Sequence, residues 1–389
     1  MKIAVVTWSY DEHQGISRCV VELTARLARE HEVHVFAAHR ATDPRPGVQV
    51  HEVPLRFPHV HVNDYDFFAR AGRSLKRGTY DIVHAHFPVW HPTDVYTCHG
   101  LARMALRSFR RFPAEAKIDV PSLKMLRWHL QVPIHSYAVR RRGTLLAAVS
   151  RKVAQELAEE SGRALGEITI VPNGVDLERF TPQARADLRA GARRDFGLAD
   201  DRFVLLWVGN HMRHKGLRHA LDTLARLPER TLLAVVGADS PASVPELAGP
   251  IARLQAAGRL RFFAADAAIE RYYAASDALL FPSLYESFGL VVLEAMAMGV
   301  PVMTARTVGF ADEAIEDGMN GLLVEHPWQS TQMAARVQGL MDDGGLRARI
   351  SKEGVHTAHQ YTWDAYCQAH EALYAQALAL RAEDRGSAH

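Results

Sequence analysis

The feature that most constrains the fold is a regular alternation of short apolar runs with helical segments in the second half of the chain. Each apolar run is bounded by polar or turn-forming residues and is typical of a strand buried on both faces. These runs are residues 203–208, 232–236, 260–263 and 278–281. Strands and helices that alternate in this way form a parallel sheet covered by helices. We therefore predict a doubly wound α/β domain here.

The first half of the chain begins with the same pattern. Residues 1–8 are typical of a strand, residues 16–29 of an amphipathic helix, and residues 32–37 of a second strand. Further runs with strand character are residues 81–85, 94–98 and 145–150. Repeated strand and helix units in both halves predict an α/β protein with two Rossmann-like, doubly wound domains.

A domain boundary is predicted near the middle of the chain. With 389 residues, the chain is longer than one ordinary core of roughly 100–200 residues requires. Residues 170–176 read Ile-Val-Pro-Asn-Gly-Val-Asp, where Pro172 and the Asn-Gly pair after it interrupt the apolar periodicity. We predict a first domain over residues 1–170 and a second over residues 171–360.

Composition argues against several classes of protein. The formal net charge is only +2, so no global field favours nucleic acid. Three cysteines without Cys-x-x-Cys spacing indicate neither a disulfide framework nor a zinc ribbon. Residues 3–7 are too short an apolar run for a signal peptide, and no run has the roughly 18 apolar residues of a membrane span. We expect a cytoplasmic protein, soluble or peripheral at the inner face of a membrane.

Residues 281–301 carry two carboxylates, Glu286 and Glu294, on either side of a predicted helix start. A helix that begins near Gly289 leaves its first backbone N–H groups unpaired, and glycine lets a ligand approach them closely. Such a helix start binds anions. Acids on either side accept hydrogen bonds from hydroxyls. A nucleotide sugar fits this pattern, and the alternative is two unrelated acids on a loop and a helix face.

This stretch, FPSLYESFGLVVLEAMAMGVPVMT, resembles the Glu-x7-Glu motif of the retaining glycosyltransferases of family 4. The resemblance extends over nearly the whole chain. That family has the GT-B fold, in which two Rossmann-like domains face a central cleft. The resemblance implies that Glu286 contacts the donor sugar, Glu294 contacts the ribose, and the backbone amides between them hold the diphosphate. These amides belong to Ser287, Phe288, Gly289 and Leu290.

The C-terminal segment fits the same resemblance. Residues 362–380 are typical of an amphipathic helix. In GT-B enzymes the last helix crosses back onto the N-terminal domain. The resemblance therefore implies that residues 361–389 pack on that domain.

Two further loops resemble donor-binding loops of the family. Gly15 matches a glycine that faces the donor phosphates and the acceptor, although a second glycine common there is Gln14 in this chain. Lys215 matches a lysine that holds the diphosphate. The usual arginine of that loop is replaced by Asn210, and Arg213 is the expected substitute.

A catalytic histidine is predicted at the end of a strand in the first domain. His99 follows the predicted strand at residues 94–98, at the edge where ligands bind in open α/β sheets. The alternative is a histidine that only caps the sheet edge. The resemblance implies that His99 contacts the donor sugar near the reaction centre. We therefore predict His99 and Glu286 as the catalytic residues.

The sequence predicts no metal and no cofactor other than the nucleotide-sugar substrate. His84 and His86 stand two apart on one face of a strand, but no further ligands with convincing spacing follow. Residues 64–66, Asp-Tyr-Asp, resemble the Asp-x-Asp of metal-dependent glycosyltransferases, yet their place ahead of a helix favours N-capping. A single glycine where Gly-x-Gly-x-x-Gly would stand argues against NAD.

Residues 103–142 form a basic stretch with interleaved apolar side chains. It contains ten Lys or Arg and only two acids, Glu115 and Asp119. Such a stretch predicts contact with an anionic membrane surface or an anionic acceptor. The alternative is a solvated helical insertion.

Together these patterns predict a retaining glycosyltransferase that needs no metal. The predicted reaction moves a sugar from a nucleotide-diphosphate donor to a hydroxyl of a glycan or lipid-linked acceptor. Loop lengths resemble those of the lipopolysaccharide-core glucosyltransferases and favour a role in cell-envelope polysaccharide or lipopolysaccharide synthesis. The alternatives are another GT-B enzyme, such as a nucleotide-sugar epimerase, and a two-domain sugar-binding protein without chemistry.

Overall fold

The computed structural model describes residues 1–57, 60–112 and 122–386 of the chain. The described residues divide into two compact units. Among the described residues, unit 1 comprises residues 1–57, 60–111, 122–174 and 363–386, and unit 2 comprises Phe112 and residues 175–362. Each unit is built on one sheet.

Unit 1 has a sheet of seven described strands. They are β1 (Lys2–Tyr10), β2 (Glu32–Arg40), β3 (Val48–Glu52), β4 (Ile82–Ala85), β5 (Val95–Cys98), β6 (Leu145–Ala148) and β7 (Ile168–Ile170). The strands pair in the order β3-β2-β1-β4-β5-β6-β7, and every pair is parallel. The helices before the domain junction are α1 (Gly15–Leu27), α2 (Val60–Ser74), α3 (Ala102–Arg111), α4 (Ser122–Arg140) and α5 (Arg151–Ser161).

Unit 2 has a six-stranded parallel sheet with the order β10-β9-β8-β11-β12-β13. Its strands are β8 (Phe203–Val208), β9 (Thr231–Val236), β10 (Leu260–Phe263), β11 (Ala278–Phe281), β12 (Val302–Ala305) and β13 (Leu322–Val324). Its helices are α6 (Pro182–Asp195), α7 (Leu217–Leu224), α8 (Ala248–Ala256), α9 (Ile269–Ala275), α10 (Leu290–Ala297), α11 (Gly309–Ala314), α12 (Ser330–Asp342) and α13 (Gly344–Ala358).

Continuous apolar runs explain why the central strands of unit 2 are buried on both faces. All six residues of β9 and all four of β11 are buried, as expected for strands covered by helices on both sides. Trp207 on β8 lies in a core with Leu205, Val235 and Met303 from β8 and other strands of the same sheet. Both units therefore show the predicted fold class, two Rossmann-like α/β domains of the doubly wound type.

The last helix, α14 (Trp363–Gly386), belongs to unit 1. It packs against α1, β4 and β5. Arg26 on α1 donates from Nε to the carboxylate of Asp364 at 2.6 Å. The Tyr374 hydroxyl lies 2.8 Å from Nδ1 of His84 on β4. The C-terminal helix therefore packs within unit 1, against elements from the first half of the chain.

Four elements were not predicted from the sequence: β3, β7, α6 and α11. The edge strand β3 is short and largely exposed, and β7 and α11 are shorter than a periodic pattern needs. The helix α6 lacks an apolar stripe because its buried residues are Ala192 and Arg193. β7 ends where the predicted first domain ends, while unit 1 continues to Gly174.

The N-capping prediction for residues 64–66 is wrong, because α2 begins at Val60 and these residues lie inside it. Asp64 is buried and accepts hydrogen bonds from Arg127 and Gln131 on α4. Asp66 pairs with Arg70 one turn later in the same helix. Asp64 therefore links α2 to α4, whereas Asp66 forms an ion pair within α2.

Within the described part of the chain, no helix is both long and apolar enough to cross a membrane. In the basic stretch, acids of unit 1 engage several of the described cations. Arg103 and Arg140 contact Glu160, and Arg107 contacts Glu159. Because these acids lie on α5, they attach α3 and α4 to unit 1 and reduce the free positive charge of the stretch.

Candidate active site

Two loops meet at the switch point of the unit 2 sheet. From β8 the sheet extends to β10 on one side, and from the neighbouring β11 it extends to β13 on the other. The loops that follow β8 and β11, residues 209–216 and 282–289, therefore leave the carboxyl edge side by side, where ligands bind in open α/β sheets. The Leu284 N–H donates to the His214 carbonyl at 3.0 Å.

Gly216 allows this close approach. Its φ is +73°, and a Cβ at this position would lie 1.8 Å from the Pro282 carbonyl oxygen. Any other residue would separate the two loops. The indole N–H of Trp207 donates to the Lys215 carbonyl at 3.2 Å, so the buried core also fixes the backbone that carries Lys215.

The first pair of predicted residues that the fold brings together is Lys215 and Glu286. The Lys215 ammonium contacts the Glu286 carboxylate and lies 5.5 Å from the centroid of the Phe281 ring. The two charged side chains remain only 22% and 17% exposed. A cation and a carboxylate are therefore held together at the switch point.

The backbone of Glu286 is anchored to the loop after β12. Its N–H donates to the Thr307 carbonyl at 3.2 Å, and its carbonyl accepts from the Gly309 N–H at 3.1 Å. This pairing fixes the position from which the carboxylate projects. The neighbouring Ser287 is half-buried.

The helix α10 begins directly after Gly289, as predicted. Gly289 has a φ of +106°, and a Cβ there would lie 2.6 Å from Val308. Phe288 is buried, with its ring 5.2 Å from that of Phe310, so only its backbone can face a ligand. The first N–H groups of a helix have no partner within it. The start of α10 at Leu290 thus presents donors beside the Lys215 and Glu286 pair.

Glu294 lies in the second turn of α10 and is buried, with 6% of its surface exposed. The hydroxyl of Tyr273, on α9, donates to one of its carboxylate oxygens at 2.8 Å. A carboxylate has about four acceptor positions. This hydrogen bond therefore orients Glu294 without using its full accepting capacity.

Arg213 is paired within unit 2. Its Nε and a terminal nitrogen donate to both oxygens of Glu246 at 2.6 and 2.7 Å, which is the strong two-point geometry of arginine and carboxylate. Asn210, in the place of the usual arginine, accepts from the Ala238 N–H at 2.8 Å. Asp239 accepts from the N–H groups of His211 and Met212. These contacts fix the shape of the loop.

In unit 1, the loop after β1 leads into α1, whose first residue is Gly15. Gly15 is exposed. Asp11, buried at the end of β1, accepts from the His13 N–H at 2.9 Å and from the Gln14 side chain at 2.8 Å. Gln14 thus closes the loop against Asp11. Because β1 borders β4 at the switch point of this sheet, the loop lies at the ligand-binding edge.

His99 follows β5 and is half-buried. Its Nε2 lies 2.9 Å from Nδ1 of His86. Burial, with a smaller contribution from the neighbouring His370, lowers the pKa of His99 to about 3. The ring is therefore neutral at physiological pH.

The fold thus brings together most of the predicted donor residues on unit 2, and it places Gly15 and His99 on unit 1. Sequence reasoning missed three partners: Glu246, Tyr273 and His86. Glu246 and Tyr273 carry no local signal, since a single acid or tyrosine in a helical segment is common. His86 was noted only for its spacing from His84. Among the described residues no three His, Cys, Asp or Glu side chains form a metal-binding group.

Comparisons with known proteins show the family of the chain. The model of the glycosyl transferases group 1 matches residues 189–357, and that of Glycosyltransferase Family 4 matches residues 13–179. A D-inositol 3-phosphate glycosyltransferase of Xylanimonas cellulosilytica is 31% identical over 94% of this chain and 93% of its own length. The chain belongs to the family 4 glycosyltransferases. A second enzyme of the same name, from Streptomyces bingchenggensis, is 30% identical over 94% of this chain and 85% of its own length.

Solved structures agree with the GT-B fold of this family. WaaG, a glycosyltransferase involved in lipopolysaccharide biosynthesis, superposes with a TM-score of 0.79 at 24% identity, over 95% of this chain and 98% of its own. Anabaena Alr3699/HepE, crystallised with UDP and glucose, has a TM-score of 0.71 at 21% identity, over 95% of this chain and 97% of its own. At these identities the structures show a shared fold.

Proposed function

We propose that this family 4 glycosyltransferase is a retaining, metal-independent hexosyltransferase that uses a nucleotide-diphosphate sugar. One observation carries the proposal: Lys215, Glu286 and the start of α10 at Leu290 lie together at the switch point of unit 2. A cation, a set of backbone donors and a carboxylate in one place suit a diphosphate joined to a sugar.

The donor side of the reaction follows from these charges. Breaking the glycosidic bond adds negative charge to the leaving diphosphate, and preorganised donors stabilise that charge in the transition state. Lys215 and the backbone amides from Ser287 to Leu290, which lead into α10, supply them. Arg213 would add a second cation only by releasing Glu246, which now binds it at both oxygens.

The two glutamates take different tasks in this proposal. Glu286 lies beside Lys215 on the loop and positions the donor sugar through its hydroxyls, without acting as a nucleophile. Glu294, oriented by Tyr273 in the second turn of α10, accepts hydrogen bonds from the ribose. His99, with Gly15 on the same unit, contacts the donor near the reacting carbon.

Two acceptor classes are supported by different observations. The predicted acceptor is a hydroxyl of a glycan or lipid-linked sugar in cell-envelope polysaccharide or lipopolysaccharide synthesis, and WaaG, which shares the fold, acts in lipopolysaccharide biosynthesis. The second candidate is a phosphorylated inositol, because the two curated relatives reported above are D-inositol 3-phosphate glycosyltransferases.

A lipid-linked acceptor would bring the protein to a membrane. Residues 103–142 would then dock on an anionic surface, where each nearby Lys or Arg contributes about 1 kcal/mol. Co-sedimentation with anionic vesicles at low and high salt tests this, comparing wild type with a variant in which Arg141 and Arg142 are serine. Salt-sensitive binding that weakens in the variant supports docking, whereas no binding at low salt favours a soluble acceptor.

The activity is tested by incubating the purified protein with UDP- and GDP-sugars, first alone and then with inositol phosphate or lipid-linked acceptors. Slow hydrolysis of the donor and faster transfer to an acceptor are expected. NMR of the product is expected to show that the anomeric configuration of the donor is retained. Turnover that survives chelation by EDTA supports metal independence. An inverted product, or no consumption of any nucleotide sugar, would contradict the proposal.

A further inference from the structure

A row of histidines lies in unit 1 at and beyond the carboxyl ends of β4 and β5. His84 is on β4, His86 directly follows that strand, His99 directly follows β5, and His370 reaches the row from α14. Ring centroids are 4.3 Å apart for His84 and His86, 5.2 Å for His86 and His99, and 4.9 Å for His84 and His370. Only His99 has a role in the proposed reaction.

The hydrogen bonds around His84 leave one arrangement of protons. The Tyr366 carbonyl can only accept, so Nδ1 of His370, 2.8 Å away, carries a proton. In the neutral ring Nε2 then accepts from the Thr97 hydroxyl at 2.9 Å. Thr97 has no second proton, so Nε2 of His84 donates to it at 2.8 Å, and Nδ1 of His84 accepts from the Tyr374 hydroxyl. This part of the row is saturated.

The link between His86 and His99 has two possible directions. The two neutral rings share one proton over the 2.9 Å between Nδ1 of His86 and Nε2 of His99. His86 is buried, and its Nε2 is sealed from solvent without a hydrogen-bond partner among the described residues. If Nδ1 of His86 accepted, its proton would sit on Nε2 as a buried N–H without an acceptor. Orphaned buried N–H groups are rarer than under-satisfied acceptors.

The other nitrogen of His99 is in a different situation. In the part of the chain that the structure describes, Nδ1 of His99 has no hydrogen-bond partner, and it is not sealed from solvent as Nε2 of His86 is. It is therefore the nitrogen that can meet a ligand. Whether it donates or accepts depends on the direction of the bond to His86.

We propose that His86 is a positioning residue that donates its Nδ1 proton to Nε2 of His99 and so fixes His99 as the Nδ1–H tautomer. His99 then presents a hydrogen-bond donor to an oxygen of the substrate and does not act as a general base. The inference rests on the proposed function, in which His99 contacts the donor sugar. A sugar hydroxyl or a phosphate oxygen is the group that such a donor recognises.

The tautomer itself is measured without any activity. In protein labelled with ¹⁵N in the histidine rings, NMR shifts distinguish protonated from bare ring nitrogens, and the His99 signals are those lost in His99→Ala. We expect a protonated Nδ1 and a bare Nε2 for His99. A proton on Nε2 of His99 in the wild-type protein would overturn the proposal, whatever the enzyme's activity.

Two nearly isosteric variants then test the effect on the reaction. In His86→Asn the amide nitrogen, near the position of Nδ1, can still donate to His99, whereas in His86→Asp a carboxylate only accepts and draws the proton to Nε2. We expect His86→Asp to lower kcat by about 10²-fold, the scale for the loss of one preorganised hydrogen-bond donor to the reacting substrate, and His86→Asn to stay within about tenfold of wild type. The affinity for the free nucleoside diphosphate is expected to be unchanged in both.

Other outcomes are also decisive. Equal loss of kcat in both variants, together with equal loss of thermal stability, would assign His86 a structural role and overturn the proposal. If the wild-type protein transfers no sugar at all, the proposed function fails, while the NMR measurement still decides the tautomer of His99.

Discussion

At the scale of single residues, the donor site of unit 2 is built from compensated charges. Lys215 contacts Glu286, and Arg213 binds Glu246 at both oxygens. Each cation is thereby kept in place before a ligand arrives, because an uncompensated charge in a half-buried site is costly. A diphosphate that binds beside Lys215 has to compete with or complement its carboxylate partner.

Replacing Lys215 with alanine is expected to weaken the binding of nucleoside diphosphates more than the binding of nucleosides, because the Lys215 ammonium is directed at phosphate. A hydrogen bond to a charged group contributes about 1.5–3 kcal/mol. Calorimetric titration of both ligand types measures the difference, with the exposed Lys352→Ala as a control of equal charge change. Equal losses of affinity for the two ligand types would argue against a phosphate role.

Glu294→Ala is expected to weaken nucleotide binding by about tenfold or more, since a lost hydrogen bond between a charged group and a ligand costs at least about 1.5 kcal/mol. Glu286→Ala is expected mainly to lower turnover, because Glu286 faces the reacting sugar in the proposed complex. Binding is measured by titration and turnover by product formation. If both variants retain wild-type affinity and rate, the assignment of the Glu-x7-Glu motif fails.

At the scale of elements, α6 holds the end of α9, the helix that carries Tyr273. Three arginines on one face of this helix, at intervals of four, donate to carbonyls at the end of α9 and in the loop before β8. Arg185 donates to Ser276, Arg189 to Ala274 and Ser276, and Arg193 to Ala275, Ala199 and Arg202. Arg193 is buried. The helix therefore satisfies carbonyls at the end of α9, which carries Tyr273.

Replacing Arg193 with alanine is expected to lower the free energy of unfolding by about 2–4 kcal/mol, because it removes a buried side chain that donates to the carbonyls of Ala275, Ala199 and Arg202. It also removes one of the donors to the Asp277 carboxylate, which keeps Arg189. The neighbouring Arg194 is exposed on the other face. Arg194→Ala is its matched control and is expected to change stability by less than about 0.5 kcal/mol. Urea denaturation measures both. Similar values for the two variants would mean that α6 packs without its arginine contacts.

At the scale of the whole molecule, buried histidines couple stability to pH. Burial lowers the pKa of His370 in unit 1 and of His219 in unit 2 to about 4 each, from an ordinary value of 6.5. Burial also holds the pKa of His84 and His86 well below that value. In each case the folded state keeps the ring neutral where the unfolded chain would protonate it.

The contribution of these neutral rings to the free energy of unfolding is therefore expected to be complete above about pH 6.5. It falls as the pH drops toward 4, since the unfolded state binds more protons than the folded state in that range. A fully buried ring such as His370 contributes on the order of 3 kcal/mol to this loss. Denaturation at several pH values measures the slope.

The slope of the free energy of unfolding against pH reports how many more protons the unfolded state binds. His370→Gln is expected to lower that number by up to one between about pH 4 and 6.5, whereas the exposed His356→Gln is expected to leave it unchanged. A His370→Gln slope equal to that of wild type would show that the ring is protonated in the folded protein.

The sequence alone determined the class of fold and much of the donor site. Alternation of apolar runs and helical segments predicted both sheets, because a strand or helix shows its period within a few residues. Glu286, Gly289 and Glu294 lie within one such local stretch. The sequence therefore also predicted that Glu286 lies in a loop, Gly289 at a helix start and Glu294 within the helix. The family resemblance then supplied Lys215, His99 and Gly15.

Only the tertiary structure decided which side chains meet. Lys215 and Glu286 are 71 positions apart, and Arg213 and Glu246 are 33 apart. No local period relates such residues, since their contact depends on strand order in the sheet. The same holds for the bond between His86 and His99, which joins the ends of two adjacent strands. The helix α6 escaped prediction because its buried face consists of alanine and arginine, whose partners are carbonyls that the fold supplies.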